Sequence, residues 1–110
     1  MGSDGFIGEF EQMLLLAILR LEGEAYGVRL MEELEERVGR SVSRGSVYVT
    51  LDRMEAKGWI ESTSVPAGSD RGGRPRRVVG VTLEGVERLR RSREALFRLW
   101  DGLEDALETP

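Results

Sequence analysis

A chain of 110 residues provides one domain with a small core, and 40% hydrophobic with 33% charged residues is typical of a globular protein. The sequence has no cysteine and no histidine, which excludes disulfides, thiolate chemistry and the commonest general base and metal ligand, so we expect no enzyme, no cofactor and no metal site. The net charge of −4 is unevenly distributed: residues 37–77 carry nine basic and four acidic side chains, whereas the rest carry seven and sixteen. A locally basic face is what nucleic-acid binding requires.

The sequence gives no sign of a membrane segment or a leader. The longest apolar run, residues 13–19, is too short to cross a bilayer. The first residues, MGSDGFIGEF, lack the basic and apolar segments of a signal peptide. We therefore expect a cytoplasmic protein with no membrane partner.

Two helices are predicted in the first third of the chain. Residues Glu9–Leu21 (EFEQMLLLAILRL) form a mostly buried helix that Gly23 ends. The second, over Tyr26–Val38, is amphipathic because its apolar residues recur at helical spacing. This helix also carries an acidic cluster, which we interpret as a solvated face and alternatively as a partner-binding surface: Glu32, Glu33, Glu35 and Glu36.

The third predicted helix begins with small and basic polar residues. Ser43 is a favourable N-cap, and Gly58 supplies the left-handed residue that stops the helix. Tyr48 lies beside the stripe that we expect to be buried, which consists of Val47, Leu51 and Met54.

A small hairpin and a long helix complete the chain. Residues 59–64 and 76–81 read as strands on either side of a loop, and Thr82 caps a helix that we expect to continue to about Leu107. Three helices followed by a hairpin are typical of the winged helix-turn-helix. We predict a mainly α protein with a small β-hairpin, divided into a winged-helix DNA-binding domain at 9–81 and a C-terminal dimerisation helix at 82–107.

This architecture indicates a function. In a winged helix, the helix before the hairpin enters the major groove and the hairpin loop reaches the flanking backbone. We therefore expect a sequence-specific DNA-binding regulator of transcription. The alternative is a winged-helix module that binds protein and not DNA, although the basic wing argues against it.

Three segments are similar to motifs of the PadR-like transcriptional regulators. They are AYGV at 25–28, SVYVTLDRMEAKGWIE and GGRPRRVVGVTLEG, and the resemblance extends over residues 14–107. Where the family usually has an aromatic pair, this chain has Val78 and Val79, so no stacking role is carried over to that strand. The short length resembles the compact branch with a single C-terminal helix. The resemblance implies a homodimeric repressor that binds double-stranded DNA.

The candidate DNA contacts cluster in the third helix. Arg44 has the fork geometry that pairs with guanine, and serine and threonine are adaptable contacts. Ser43 either donates to a phosphate or serves only as the cap. The resemblance implies that the Tyr48 hydroxyl touches the DNA backbone, and its ring can also pack on the second helix. The whole set, whose last two members are alternatively solvated residues, is Ser43, Arg44, Ser46, Tyr48, Thr50, Arg53 and Lys57.

The hairpin, or wing, contributes a second group of cations. Consecutive strand residues point to opposite sides, so at most one of Arg76 and Arg77 faces DNA, and we assign Arg76. The other reading is a loop whose arginines only keep it soluble. The arginines that we expect at phosphates or in the minor groove are Arg71, Arg74 and Arg76.

Apolar residues alternate at spacings of three and four along the last helix, which is the pattern of an a/d seam. The seam is longer than one small domain covers, so we expect the last helix of a second copy to pack against it. The first helix is a further candidate for the same interface. The alternative is packing on the chain's own core, which could cover only the near half of the seam. A two-fold dimer predicts an inverted-repeat operator. The seam is Val86, Leu89, Arg93, Leu96, Trp100, Leu103 and Leu107, where Arg93 either pairs with an acid across the interface or marks a register shift.

Two aromatic residues in this helix suggest a ligand. In some short members of the family, an aromatic residue of the last helix lines a drug pocket between subunits. The resemblance implies Phe97 and Trp100 as candidates for binding a small hydrophobic effector, although they lie about one turn beyond the matching place. The alternative is that both only pack in the interface core.

Overall fold

The computed structural model describes residues 7–66 and 75–108. Its elements are α1 (Glu9–Leu21), α2 (Gly27–Val38), α3 (Arg44–Ala56), β1 (Ile60–Val65), β2 (Arg76–Val81), α4 (Leu83–Trp100) and a 3-10 turn (Glu104–Leu107). The two strands form an antiparallel hairpin in which Ile60 lies opposite Val81 and Val65 lies opposite Arg76. The predicted winged helix-turn-helix, mainly α with a small hairpin, is confirmed.

The core is formed by the faces of α1, α2 and α3 that meet beneath the hairpin. Two contacts hold the hairpin against this core. The first is the burial of Trp59 and Ile60 at the start of the hairpin. The second is a hydrogen bond from the Val79 N–H to the Ala25 carbonyl, at 2.9 Å. Because the second contact lies just before α2, the wing is held beside the start of that helix. The largest fully buried side chains are Leu14, Leu15, Leu30, Leu51, Met54 and Val47.

The two predicted helix caps are present. The Ser43 hydroxyl accepts the Ser46 N–H at 3.0 Å at the start of α3. The Thr82 hydroxyl accepts the Gly85 N–H at 3.1 Å at the start of α4, and it donates to the Gly58 carbonyl at 2.6 Å. Thr82 therefore both starts α4 and fastens it to the end of α3.

The start of α4 packs closely on the residues that follow α3. A Cβ atom at Gly85 would lie 2.3 Å from the Trp59 carbonyl oxygen, so only glycine fits at this contact. Farther along, buried Ser92 donates to the Gln12 side chain of α1 at 3.0 Å. These contacts join α4 to the winged helix.

The last helix is shorter than expected from the sequence. It ends at Trp100, because the following Gly102 adopts a left-handed conformation with φ +84° that turns the chain out of the helix. Leu103 and Leu107 consequently lie in and beside the 3-10 turn and do not continue the face of α4. The prediction of one helix through about Leu107 is wrong.

One acidic residue of α2 is buried, although the cluster was expected to be a solvated face. Glu33 is 8% exposed and lies 3.6 Å from Arg20, 3.9 Å from Arg29 and 2.7 Å from Arg37. The three guanidinium groups compensate its charge, which is the usual condition for burying a carboxylate. Its neighbours in the cluster are exposed, as predicted: Glu32, Glu35 and Glu36.

Within residues 7–66 and 75–108, no helix combines the length and apolar character needed to cross a bilayer. The same residues contain no group of three acidic, cysteine or histidine side chains able to hold a metal ion.

Candidate nucleic-acid interface

The rotation of α3 determines which of its residues can meet a partner. The helix packs on the core through one face, and the opposite face carries Gly45, Val49, Asp52 and Ala56, all exposed. Val49 is 57% exposed, so an apolar side chain stands at the middle of the outward face. The sequence prediction missed Val49, although it lies two residues from both Val47 and Leu51, a rotation of about 200° that places it opposite the buried stripe.

Thr50 does not belong to this face. It was expected at the groove, but it is 5% exposed and lies on the buried side of α3 with Val47, Leu51 and Met54. Only a small part of Thr50 reaches the open cleft that Ser46 and Arg53 also line, so we assign it no base contact.

The N-terminal turn of α3 presents a polar edge. Ser43 is engaged at the cap and also donates to the Ser46 hydroxyl at 2.9 Å, whereas Arg44 is exposed. Ser46 and Arg53 line an open cleft between α3 and the start of α1, together with Phe10. The predicted residues thus occupy two edges of one exposed surface.

Tyr48 and the start of α2 form a second part of the surface. A Cβ atom at Gly27 would lie 2.4 Å from the Tyr48 hydroxyl oxygen, so the absent side chain at Gly27 lets that hydroxyl reach the first turn of α2. The N-cap of α2 is Tyr26, whose side chain makes no capping hydrogen bond. The first N–H groups of a helix carry a partial positive charge and favour an anion nearby.

Arg76 brings a cation to the same place. Its guanidinium carbon lies 3.8 Å from the centroid of the Tyr26 ring, which is a stacked arrangement. A guanidinium that covers a ring face still has N–H groups at its edge that can donate to another partner. The Tyr48 hydroxyl, the start of α2 and Arg76 are the kinds of group that bind a phosphate. The sequence indicated Tyr48 and Arg76 separately; their connection through Tyr26 and Gly27 was not foreseen.

Lys57 was a candidate for a phosphate contact, and its surroundings argue against that role. Its ammonium nitrogen lies 3.1 Å from Glu11 Oε2, and it stands 4.5 Å from the centroid of the Trp59 ring. Glu11 is only 9% exposed. Lys57 therefore compensates a buried acid of α1 and lies away from the outward face of α3.

Arg77 points to the other side of β2 from Arg76, as the alternation of a strand predicts. Its guanidinium donates to Asp52 at 2.9 Å, to Glu55 at 2.7 Å and to the Ser62 hydroxyl at 2.9 Å. Hydrogen bonds from Ser62 and then from Arg77 lower the pKa of the Glu55 carboxyl below its ordinary value. The wing is thereby fastened to α3 by an ionic contact that sequence reasoning did not find.

Arg71 and Arg74, the other two arginines predicted at DNA, lie outside the described residues. Their role stays a prediction.

A separate apolar groove runs between α1 and α4. It has a volume of about 520 Å³ and is lined by Leu16 and Leu19 of α1 and by the seam residues of α4 as far as Trp100. Leu89 is buried in the chain's own core, whereas Val86, for which burial in that core was the alternative to the dimer seam, is 42% exposed. The Arg93 guanidinium carbon lies 5.0 Å from the centroid of the Phe97 ring. This cation–π contact explains how an arginine is accommodated in the seam. The exposed apolar residues of α4 in the groove are Val86, Leu96, Phe97 and Trp100.

Comparisons with known proteins agree with this architecture. The chain is 26% identical to a PadR-like transcriptional regulator from Bacillus cereus, with a TM-score of 0.72 over 92% of this chain and 93% of that one. It is 28% identical to a PadR family transcriptional regulator from Eggerthella lenta, with a TM-score of 0.68 over 93% and 88%. A PadR family transcription regulator from Clostridium difficile is 25% identical, with a TM-score of 0.62 over 90% and 95%.

No curated protein matches the chain. A family model does: residues 15–91 match the one described as the transcriptional regulator PadR-like family, which groups regulators and not enzymes. The match covers more than half of the chain and includes α2, α3, the wing and the first half of α4. The protein therefore belongs to the PadR-like family of transcriptional regulators.

Proposed function

We propose that the protein is a homodimeric, sequence-specific DNA-binding repressor that acts in the cytoplasm. In this proposal α3 enters the major groove, and the start of α2 with Arg76 rests on the phosphate backbone. The observation that carries it is the juxtaposition of the Tyr48 hydroxyl, the uncapped start of α2 and the stacked Arg76 at the edge of the exposed face of α3. Phosphate-binding groups beside an outward helix are what docking into a groove requires.

Base reading is assigned to the outward face and the N-terminal turn of α3. Arg44 can pair bidentately with guanine, Ser46 is an adaptable contact, and Val49 can pack on a thymine methyl group. Ser43 and Arg53 remain candidates for phosphate contacts, as do the wing residues Arg71 and Arg74.

The dimer is proposed to form through the groove between α1 and α4. The exposed apolar side chains there need a cover, and a second copy placed by a two-fold axis would supply the same residues in return. The two α3 helices would then meet two major grooves about 34 Å apart, so the operator is expected to be an inverted repeat. A small hydrophobic effector bound beside Phe97 and Trp100 would release the repressor, and its binding should quench the Trp100 fluorescence.

The proposal is tested by binding to a labelled duplex at several salt concentrations. The wild type should weaken steeply with added salt, because phosphate contacts release counterions. Arg76→Ala should weaken binding to all sequences alike and reduce the salt slope by about one unit. The matched control is Arg91→Ala, which removes an arginine paired with Glu87 in α4. Binding that is absent or independent of salt would favour a winged-helix module that docks on protein.

A further inference from the structure

One acid, Asp52, lies on the face of α3 that is proposed to enter DNA, and a second, Glu55, lies beside that face. Asp52 and Glu55 have side chains that are 71% and 43% exposed, and both lie in the middle or second half of the helix. A carboxylate close to phosphates repels them, and the repulsion is strongest at low salt. A recognition helix with two such groups needs something that neutralises them.

Arg77 occupies the position to do so. One terminal nitrogen lies 2.9 Å from Asp52 and the other 2.7 Å from Glu55, while Nε donates to Ser62 at 2.9 Å. Ser62 in turn donates to Glu55 at 2.7 Å. The whole fork of the guanidinium is therefore engaged, and the Arg77 side chain is only 29% exposed.

We infer that Arg77 is a positioning residue of the DNA-binding face: it neutralises Asp52 and Glu55 so that α3 can approach phosphates, and it makes no contact with DNA itself. The inference rests on the proposed DNA-binding function. Its basis is the geometry of β2, because Arg76 and Arg77 leave the strand on opposite sides and reach different partners, one the Tyr26 ring and the other α3. The two neighbouring arginines thus have different tasks.

Two other roles for Arg77 are conceivable, and each makes its own prediction. If Arg77 touched a phosphate, its loss would cost the same whether or not the acids are charged. If it only fastened the wing mechanically, replacing its acidic partners would weaken binding as much as replacing the arginine. Neutralisation alone predicts both that the variant without the acids binds as tightly as the wild type and that this variant no longer needs the arginine.

The experiment is a double-mutant cycle measured by fluorescence anisotropy on a labelled mixed-sequence duplex of about three helical turns, so no operator has to be known. The variants are Arg77→Met, the pair Asp52→Asn with Glu55→Gln, and all three together. Arg91→Met is the matched control, because it removes the same charge from a surface ion pair of α4. Thermal unfolding confirms that each variant is folded.

We expect Arg77→Met to weaken binding about tenfold at low salt, and the deficit to shrink as salt is added. In the background of Asp52→Asn with Glu55→Gln, the same substitution should cost less than about twofold, and that background should bind at least as tightly as the wild type. Arg91→Met should stay within about twofold of the wild type.

Equal losses in both backgrounds would show a direct phosphate contact and overturn the inference. A loss caused by Asp52→Asn with Glu55→Gln as large as that of Arg77→Met would overturn it in favour of a mechanical tie. These outcomes are separate from a failure of the proposed function, in which the wild type itself shows no salt-dependent binding and Arg76→Ala changes nothing.

Discussion

At the scale of single residues, Arg44 and Tyr48 are one helical turn apart on α3 but have different surroundings. Arg44 is exposed at the N-terminal turn, whereas the Tyr48 hydroxyl is held against Gly27 at the start of α2. On a selected operator, Arg44→Ala should cost about 1–3 kcal/mol and much less on random DNA, because a lost guanine contact is a loss of discrimination. Titrations of both duplexes measure the difference.

Tyr48→Phe is the counterpart of that substitution. It removes one hydroxyl and keeps the ring, so it should weaken operator and random DNA by the same factor, since a backbone contact carries no sequence information. An Arg44→Ala variant that loses equally on both duplexes would make Arg44 a backbone contact. A Tyr48→Phe variant that loses only on the operator would assign base reading to the tyrosine.

The residue-level predictions succeeded where the sequence fixes a local geometry and failed where it does not. Ser43 and Thr82 cap their helices because a hydroxyl before a helix can reach only its own first turn. Thr50 was misplaced because α3 has little contrast between its faces, with small or polar residues on both. Glu33 could not be recognised as buried because one of its three partners, Arg20, comes from another helix.

At the scale of elements, the contact between wing and α3 depends on the ionisation of Glu55. Its pKa is lowered by Ser62 and by Arg77, so the folded protein binds fewer protons there than the unfolded chain does. The stabilisation is fully present above the unfolded pKa and is lost as the pH falls through the lowered one. The melting temperature of the wild type should therefore exceed that of Glu55→Gln by a constant margin near neutral pH. In acid the two melting temperatures should converge.

Melting curves recorded across the acid range test this convergence. Glu61→Gln is the control, because Glu61 is an exposed glutamate on β1, next to Ser62. A margin between wild type and Glu55→Gln that persists unchanged at the lowest pH would show that the contact does not depend on the charge of Glu55.

The order and boundaries of the elements were largely predictable, since the periodicity of apolar residues and the glycine at 58 mark them along the chain. The end of α4 was not, because the apolar seam continues in the sequence past the point where Gly102 breaks the helix. The pairing of Arg77 with α3 is a tertiary contact between residues 22 and 25 positions apart, and a single sequence contains no signal for it.

At the scale of the whole molecule, the groove between α1 and α4 is the test of the dimer. Leu96 is 46% exposed and lines that groove, whereas Leu83 is 91% exposed at the start of the same helix and does not line it. Leu96→Glu should give a monomer in sedimentation, because it would bury a charge in the proposed interface. Leu83→Glu adds the same charge and should leave the dimer intact; a dimeric Leu96→Glu variant would place the interface elsewhere.

The close fit of Gly85 on the Trp59 carbonyl makes the root of α4 a mechanical pivot. The helix has 18 residues, so it is a lever of about 27 Å, and a tilt of about 3.5° at its root displaces its tip by roughly 1.7 Å. In the proposed dimer the two-fold axis doubles that displacement, to about the 3.4 Å rise of one base pair. A side chain introduced at position 85 would therefore change the operator that the protein prefers. The preferred spacing between the two half-sites would change by about one base pair, although no residue that contacts DNA is altered.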